Sequence, residues 1–206
     1  MLSGADLLGL SPVMPVVVID DVADAVPTAR ALLAGGIGVI ELTLRTPAAL
    51  EAIERIANEV PGIVIGAGTV VSPDQAKQAA GAGAKFLVTP GSTDAVLDAA
   101  FATGLPFLPG AATVSEAMRL AERGLTALKF FPAEASGGIA YLRSIGGPLP
   151  GLRFCPTGGI TVKSAPGYLA LPNVGCIGGS WLTPKDLLAA KDFARIEELA
   201  AEASRL

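Results

Sequence analysis

Short apolar runs recur roughly every two dozen residues along the chain, and segments with helical spacing of their apolar residues separate them. Eight of these runs, rich in Val, Ile, Leu, Ala and Phe, have the length and composition of strands. They lie at Met14–Ile19, Gly38–Leu44, Ile63–Gly66, Phe86–Val88, Phe107–Leu108, Ala127–Phe130, Arg153–Cys155 and Gly175–Ile177. The pattern therefore predicts eight units in which a strand is followed by a helix.

Two of the intervening segments begin with a hydroxyl residue followed by proline, which is a helix start signal. The hydroxyl can accept a hydrogen bond from the first turn, and proline fits the first helical position because its missing N–H is not needed there. The signal predicts helices that start at Thr46-Pro47 and run to Val60, and that start at Ser72-Pro73 and run to Gly81.

Strands that are apolar throughout need cover on both faces, as parallel strands do. Eight such units in series favour an α/β fold with a single (β/α)8 barrel, the TIM barrel, over an open sheet. The first unit lacks a G-x-G-x-x-G motif with a distant acid, so a dinucleotide-binding fold is the weaker alternative. We expect one domain over residues 1–206 with a short N-terminal helix.

Composition and charge narrow the class of partner. The chain is 51% hydrophobic and 17% charged, which is typical of a compact globular domain. A net charge of -4 without any run of Lys or Arg argues against nucleic acid or an anionic membrane as a partner. The first twenty residues lack the basic start of a signal peptide, and no apolar run approaches the length of a membrane span. We therefore expect a cytoplasmic protein.

The chain contains no histidine, which removes Ser-His-Asp chemistry, imidazole acid-base catalysis and nearly every zinc site. Its two cysteines, Cys155 and Cys176, lie in apolar runs, so we interpret them as buried reduced thiols. Carboxylates, lysines and hydroxyls are left to carry any reaction, and we expect no metal.

Charged residues interrupt two of the predicted strands, where apolar residues are the rule. In the second strand, alternation places Glu41, Thr43 and Arg45 on one face and aliphatic residues on the other. The aliphatic face suits the surrounding helices, so we expect the polar face to point into the barrel mouth. Lys129 lies at the carboxyl end of the sixth strand, the end at which these barrels carry their chemistry.

Glu41 and Lys129 have two interpretations. One is a buried ion pair without a chemical role, although such a pair usually stabilises a protein no better than apolar packing does. The other is a lysine that attacks a carbonyl carbon while a carboxylate carries the protons. Desolvation, together with a second cation such as Arg45, keeps more of an amine in its neutral, nucleophilic form.

Glycine pairs follow the last two predicted strands, in Thr157-Gly158-Gly159 and in Gly178-Gly179-Ser180. Barrels often bind a phosphate at this position, through free backbone N–H groups and a short helix N-terminus. Either pair alone could be a tight turn, but the two together favour a phosphate site. After the third strand, Gly66–Thr69 is either a plain turn or a place where the Thr69 hydroxyl binds a carboxylate.

The motifs ELTLR, GAGTV, KFFPAE, FCPTGGI and GGSW occur in that order, and they begin at Glu41, Gly66, Lys129, Phe154 and Gly178. Together they closely resemble the bacterial 2-keto-3-deoxy-6-phosphogluconate aldolases, which also accept 4-hydroxy-2-oxoglutarate. The resemblance implies a homotrimeric class I aldolase of the Entner–Doudoroff pathway. Such an enzyme cleaves the phosphorylated keto acid to pyruvate and glyceraldehyde 3-phosphate without a metal or a cofactor.

The resemblance also implies roles for individual residues. Lys129 matches the lysine that forms the Schiff base, and Glu41 matches the general acid/base. Arg45 and Thr69 match the groups that bind the pyruvate carboxylate. The positions that match the distal phosphate site are Thr157, Gly158, Gly159, Gly179 and Ser180, and Pro90 matches a residue that lines the pocket.

Rival hypotheses remain open at this point. One is an aldolase for the galactonate-derived epimer or for unphosphorylated hydroxyoxoglutarate, although Thr157 and Ser180 favour the phosphorylated gluconate substrate. Another is a barrel isomerase or a protein that binds phosphorylated sugars, in which Lys129 is only an electrostatic clamp. A scaffold role would leave the charges within the strands unexplained.

Overall fold

The computed structural model describes residues 2–206, so residue 1 of the predicted domain lies outside the described residues. Within that range the strands are β1 Val13–Val17, β2 Val39–Thr43, β3 Val64–Gly68, β4 Phe86–Val88, β5 Phe107–Leu108, β6 Gly110–Ala111, β7 Ala127–Phe130, β8 Arg153–Pro156 and β9 Ile177–Gly179. The α-helices are α1 Gly4–Leu7, α2 Ala25–Ala34, α3 Ala49–Glu59, α4 Pro73–Gly81, α5 Asp94–Ala102, α6 Val114–Glu122, α7 Gly138–Gly146, α8 Ala165–Leu169, α9 Lys185–Ala190 and α10 Phe193–Ala203. Single-turn 3₁₀ helices occupy Val22–Asp24 and Glu134–Ser136.

Every predicted strand overlaps an observed one, and three of them coincide with β4, β5 and β7. Two details were predicted wrongly. A further short strand, β6, follows β5 after Pro109, and β9 includes Gly178 and Gly179, which we expected to lie beyond the strand. These glycines carry no apolar signal, but the parallel pairing of β9 with β1 brings them opposite Met14 and Pro15.

The strands form an α/β fold with two parallel sheets. The larger sheet has the order β5-β4-β3-β2-β1-β9, and the smaller has the order β6-β7-β8. Two isolated parallel bridges, Phe154 to Val174 and Thr157 to Gly178, lie between the last strand of each sheet. The carboxyl ends of strands from both sheets therefore meet near Thr157.

Strand side chains alternate between two buried clusters, as the pattern of the sequence predicts. The smaller cluster includes Met14, Val39 and Phe86, together with the two cysteines. Ile40 and Leu42 belong to the larger cluster, in which strands pack against helices. Both thiols are buried and free, as predicted.

Helix α1 lies near the amino ends of the strands, and its Leu7 and the following Leu8 belong to the smaller cluster. A Cβ on Gly175, just before β9, would lie 2.7 Å from the Leu8 Cβ. At the start of β7, the Ala127 Cβ would likewise lie 3.2 Å from a Cβ on Gly4. This end of the smaller cluster is therefore packed with aliphatic side chains.

Only one of the two predicted helix starts is correct. Helix α4 begins as expected, because Ser72 accepts a hydrogen bond from the N–H of Gln75 at 3.2 Å and Pro73 follows it. Helix α3 begins instead after Ala48, which has no side-chain cap. The Thr46 hydroxyl donates to the carbonyl of Ile19, so it ties the β2–α3 loop to the chain just beyond β1.

The longest helices, α3 and α10, have 11 residues each. Within the described range, none of the helices is long and apolar enough to span a bilayer.

Candidate active site

The two charged strand residues that the sequence pattern singled out, Glu41 and Lys129, meet in the interior of the fold. Lys129 Nζ donates to Glu41 Oε1 at 3.0 Å. Lys129 is 4% exposed and Glu41 is 1% exposed. One residue comes from β7 of the smaller sheet and the other from β2 of the larger sheet, so their side chains reach toward each other across the space between the sheets. The result is an amine and a carboxylate that are shielded from water and within hydrogen-bonding distance.

A glycine on the neighbouring strand leaves the space that the Glu41 carboxylate fills. Strand β3 pairs with β2, and Gly68 lies opposite Thr43. A Cβ on Gly68 would overlap Glu41 Oε1 and would lie 2.5 Å from its Cγ. Real Cβ atoms essentially never approach so closely, so any side chain at position 68 would displace the carboxylate.

Arg45 and Thr69 lie together at the carboxyl ends of β2 and β3. Arg45 Nε donates to Thr69 Oγ1 at 3.3 Å. Thr69 has a φ of 57°, a left-handed conformation that is rare for a β-branched residue. Strained backbone of this kind is most often found at functional sites, where the surrounding structure holds it in place. The guanidinium and the hydroxyl form a polar pair on the rim above Glu41.

The two glycine pairs lie side by side but have different conformations. Gly158 and Gly159 form a turn, with φ values of 105° and 80°, whereas Gly178 and Gly179 belong to β9. The bridge from Thr157 to Gly178 brings the two segments together. A Cβ on Gly178 would overlap the Thr157 hydroxyl oxygen. Ser180 follows directly and is exposed.

The helix start that we expected beside these glycines is absent. Helix α8 begins at Ala165 and α9 begins at Lys185, in each case several residues after the glycine pair. Between Gly159 and α8, Thr161 and Ser164 exchange hydrogen bonds within a local turn instead of extending a helix. An anion at this place would therefore depend on backbone N–H groups and on the Ser180 hydroxyl, without a helix N-terminus.

Pro90 follows β4 and lies against the strand that pairs with Lys129. Gly110 is opposite Lys129 in the register of β6 and β7. A Cβ on Gly110 would overlap the carbonyl oxygen of Pro90, and the N–H of Gly110 donates to Thr89 Oγ1 at 3.1 Å. Pro90 is therefore separated from Lys129 by one short strand.

Phe131 is a residue of the site that our sequence analysis missed. Lys129 Nζ lies 5.4 Å from the centroid of the Phe131 ring, a distance at which a cation is attracted to an aromatic face. The same ring would be 3.3 Å from a Cβ on Gly158, so it lies between the lysine and the glycine turn. Strand alternation could have found it, since Phe131 is two residues after Lys129.

The described residues, 2–206, contain no group of three or more His, Cys, Asp or Glu side chains that could hold a metal ion. The chemistry that the side chains do offer is a shielded amine next to a carboxylate. Polar groups that could bind anions flank this pair on two sides. One side is the Arg45–Thr69 pair, and the other is the turn at Gly158-Gly159 with Ser180.

Comparisons with known proteins agree on one family. The family model described as "KDPG and KHG aldolase" matches residues 5–199. A 2-dehydro-3-deoxy-phosphogluconate aldolase of Pseudoalteromonas atlantica is 52% identical over 98% of this chain and 94% of its own length. A KHG/KDPG aldolase of Escherichia coli is 50% identical, again over 98% of this chain and 94% of its own length.

A solved structure is also closely similar. The KDPG aldolase of Legionella pneumophila superimposes with a TM-score of 0.96 at 45% identity, over 98% of each chain. That structure contains pyruvate captured at low pH as a covalent carbinolamine intermediate.

Proposed function

This chain belongs to the KDPG and KHG aldolase family, and on that premise we propose that it is a class I aldolase for 2-keto-3-deoxy-6-phosphogluconate (KDPG). Its products are pyruvate and glyceraldehyde 3-phosphate. The observation that carries the proposal is the buried pair of Lys129 and Glu41, whose polar atoms are 3.0 Å apart. Cleavage of 4-hydroxy-2-oxoglutarate (KHG) to pyruvate and glyoxylate is a second activity, since the E. coli relative is named for both substrates.

Lys129 is the nucleophile of this mechanism. Its neutral amine attacks the C2 carbonyl carbon of the keto acid to form a carbinolamine, which loses water to give a protonated Schiff base. The iminium then accepts the electron pair of the C3–C4 bond as that bond breaks. The covalent carbinolamine with pyruvate in the Legionella relative supports this sequence of steps.

Glu41 carries the protons. Its carboxylate is hydrogen-bonded to Lys129 Nζ in the free enzyme, so it can accept a proton from the amine and return one to the carbinolamine hydroxyl as water leaves. During cleavage it accepts the proton of the C4 hydroxyl, which becomes the aldehyde. Protonation of the resulting enamine at C3 and hydrolysis of the imine then release pyruvate and restore the free lysine.

The two ends of the substrate are bound on opposite sides of Lys129. Arg45 and Thr69 bind the carboxylate next to the keto group, through the guanidinium and the hydroxyl that already face each other at 3.3 Å. The distal phosphate binds at Thr157–Gly159 and at Gly179 and Ser180. Pro90 lines the pocket near the lysine.

We also propose that the two sheets are parts of one closed eight-stranded barrel. The bridge between Thr157 and Gly178 supports closure on one side. On the other side, β5 and β6 are separated by Pro109 alone, so they can be read as one interrupted strand. Family resemblance further implies a homotrimer, which we adopt as part of the proposal.

Reductive trapping tests the proposed chemistry. Sodium borohydride added with pyruvate reduces an imine to a stable amine, so the wild-type enzyme should lose activity and carry a pyruvate-derived adduct on Lys129. Peptide mass spectrometry locates the adduct. Lys85→Ala is the matched control, because Lys85 is exposed just before β4, and this variant should be trapped like the wild type.

An adduct on another lysine, or none at all, would contradict the proposal. An enzyme that is not trapped, and that binds phosphorylated sugars without cleaving them, would favour the alternative of a barrel isomerase or binding protein. A comparison of kcat/KM for the gluconate-derived and galactonate-derived phosphorylated keto acids decides between the two aldolase hypotheses. We expect the gluconate epimer to be preferred.

A further inference from the structure

A buried tyrosine holds a carboxylate beside the glycine turn. Tyr168, on α8, is 0% exposed. Its hydroxyl donates to Glu134 Oε1 at 2.7 Å. Glu134 belongs to the 3₁₀ helix that follows β7 and is exposed. Neither side chain has a part in the mechanism above.

Glu134 is in direct contact with the segment to which we assign the phosphate. The N–H of Glu134 donates to the carbonyl of Gly158 at 3.1 Å. A Cβ on Gly159 would lie 2.8 Å from both Cβ and Cγ of Glu134. An ionised carboxylate so near a phosphate site would repel the substrate's anion unless its charge is directed elsewhere.

The charge of Glu134 is in fact turned away from Gly159. Its two methylene carbons are the only Glu134 atoms within 4 Å of the Gly159 Cβ position. Gly138 lies on the other side of the Glu134 side chain. A Cβ placed on Gly138 would be 3.5 Å from Glu134 Oε2 and 2.9 Å from Tyr168 Oη. The side chain thus presents carbon atoms to the glycine turn and oxygen atoms to the tyrosine.

We propose that Tyr168 is a positioning residue for phosphate selectivity, because its hydroxyl holds the Glu134 carboxylate on the Gly138 side and away from the turn at Gly158-Gly159. The inference rests on the proposed function, since it needs a phosphorylated substrate at this turn. Burial raises the pKa of Tyr168, as do the hydrogen bond to Glu134 and its charge. The phenol therefore stays protonated and remains a donor at physiological pH.

Three variants test the proposal through the KM for KDPG and for unphosphorylated KHG. In Tyr168→Phe the carboxylate loses its donor and is free to rotate toward the anion. We expect the KM for KDPG to rise about three- to tenfold, with kcat and the KM for KHG within about twofold of wild type. In Tyr168→Phe/Glu134→Gln the charge is gone, and the KM for KDPG should return close to that of Glu134→Gln alone.

A role in merely supporting the loop would give a different result. A loosened loop would keep its defect in the double variant, whereas repulsion by a carboxylate would not. Raising the salt concentration should also shrink the KM increase of Tyr168→Phe, because salt screens repulsion between exposed charges. Tyr141→Phe is the matched control, since it removes a phenol hydroxyl elsewhere, on α7, and should leave both KM values unchanged.

The failures of the two proposals are distinguishable. A wild type that cleaves neither substrate and is not trapped with pyruvate would overturn the proposed function and this inference with it. A wild type that cleaves both substrates, but whose Tyr168→Phe variant keeps its KM for KDPG, would overturn the inference alone. A KM increase of equal size for both substrates, or one that persists in the double variant, would overturn it as well.

Discussion

At the scale of single residues, the reactivity of this site depends on which groups surround Lys129. Lys129 is 4% exposed, its carboxylate partner comes from the other sheet, and an aromatic ring lies 5.4 Å from its Nζ. A buried carboxylate and amine are costly to desolvate and stabilise a fold little better than apolar residues do. Their presence is therefore easier to explain by proton transfer than by stability.

Glu41→Gln separates these two roles. The amide keeps the size of the side chain but cannot exchange protons, so kcat should fall about 10²- to 10⁴-fold if Glu41 is the proton carrier. If Glu41 only pairs with Lys129, the main effect should be on the free energy of unfolding, by roughly 3–5 kcal/mol. Steady-state kinetics and urea unfolding measure the two quantities. A variant that unfolds easily but turns over normally while folded contradicts the catalytic role.

Gly68→Ala tests how closely the carboxylate must be placed. The added methyl group overlaps Glu41 Oε1, so the carboxylate must move away from Lys129. Because small displacements of reacting groups are costly, we expect kcat to fall roughly tenfold to a hundredfold.

Gly38→Ala is the matched control for this prediction. Gly38 lies just before β2, and nothing lies within 4 Å of a Cβ placed there. The kcat of Gly38→Ala should therefore stay close to that of the wild type. Equal kcat values for the two alanine variants would show that Gly68 does not position Glu41.

At the scale of elements, the loops after the strands carry Arg45, Thr69 and the turn at Gly158-Gly159, and local hydrogen bonds shape these loops. Thr46 ties the β2–α3 loop to Ile19 instead of capping a helix. Thr113, before α6, does cap its helix, by accepting from the N–H of Glu116 at 3.2 Å. Glu116 Oε2 accepts in return from the N–H groups of Ala112 and Thr113, at 2.8 Å and 2.9 Å. This capping box immediately follows β6, the strand that pairs with Lys129.

The capping box makes part of the stability of α6 dependent on pH. The hydrogen bond from the Ala112 N–H, with further help from Thr113, holds the pKa of Glu116 below its usual 4.5. A carboxyl whose pKa is lower in the folded state stabilises the fold at pH values above its pKa in the unfolded state. That stabilisation is lost as the pH falls through its pKa in the folded state. Glu116→Ala should therefore lower the free energy of unfolding by about 0.5–1 kcal/mol at pH 7.

The difference between wild type and Glu116→Ala should shrink as the pH falls below 4.5, where the wild-type carboxyl takes up its proton. Urea unfolding at pH 7 and near pH 3.5 measures it. Glu122→Ala, in the last turn of the same helix, removes a carboxylate that has no capping role and is the control. A difference that grows toward acid pH would contradict the assignment.

At the scale of the whole molecule, the strands contribute side chains to one small apolar cluster and pack against the helices through a larger one. A single domain over residues 1–206 stays a prediction. So does the homotrimer that the family resemblance implies. Several large apolar side chains are available for a subunit interface, since Val71, Phe101 and Met118 are 56%, 43% and 48% exposed. Association would bury such groups at a gain of about 25 cal/mol per Å².

Light scattering coupled to size exclusion tests the oligomeric state. Three chains of 20.7 kDa give a mass of about 62 kDa, which we expect at micromolar protein concentration. The mass should not change when pyruvate is trapped with borohydride, because the adduct forms inside each subunit. A mass of one chain at the same concentration would rule out the trimer.

The sequence by itself determined the strands and the two residues that stand out within them. Apolar runs and two-residue alternation are local patterns, so they predicted seven strands closely, placed Glu41 on the face toward the barrel mouth and placed Lys129 at the carboxyl end of its strand. Tertiary structure alone decided what those residues contact. Strand register and sheet geometry, which no local period encodes, produce the pairing of residues 88 positions apart. They also produce the close approach of Glu41 to Gly68 and the contact between Tyr168 and Glu134. For the same reason, Thr46 and Gly178 were misjudged: Thr46 is held by the carbonyl of Ile19, just beyond β1, and Gly178 by its pairing with Met14 in β1.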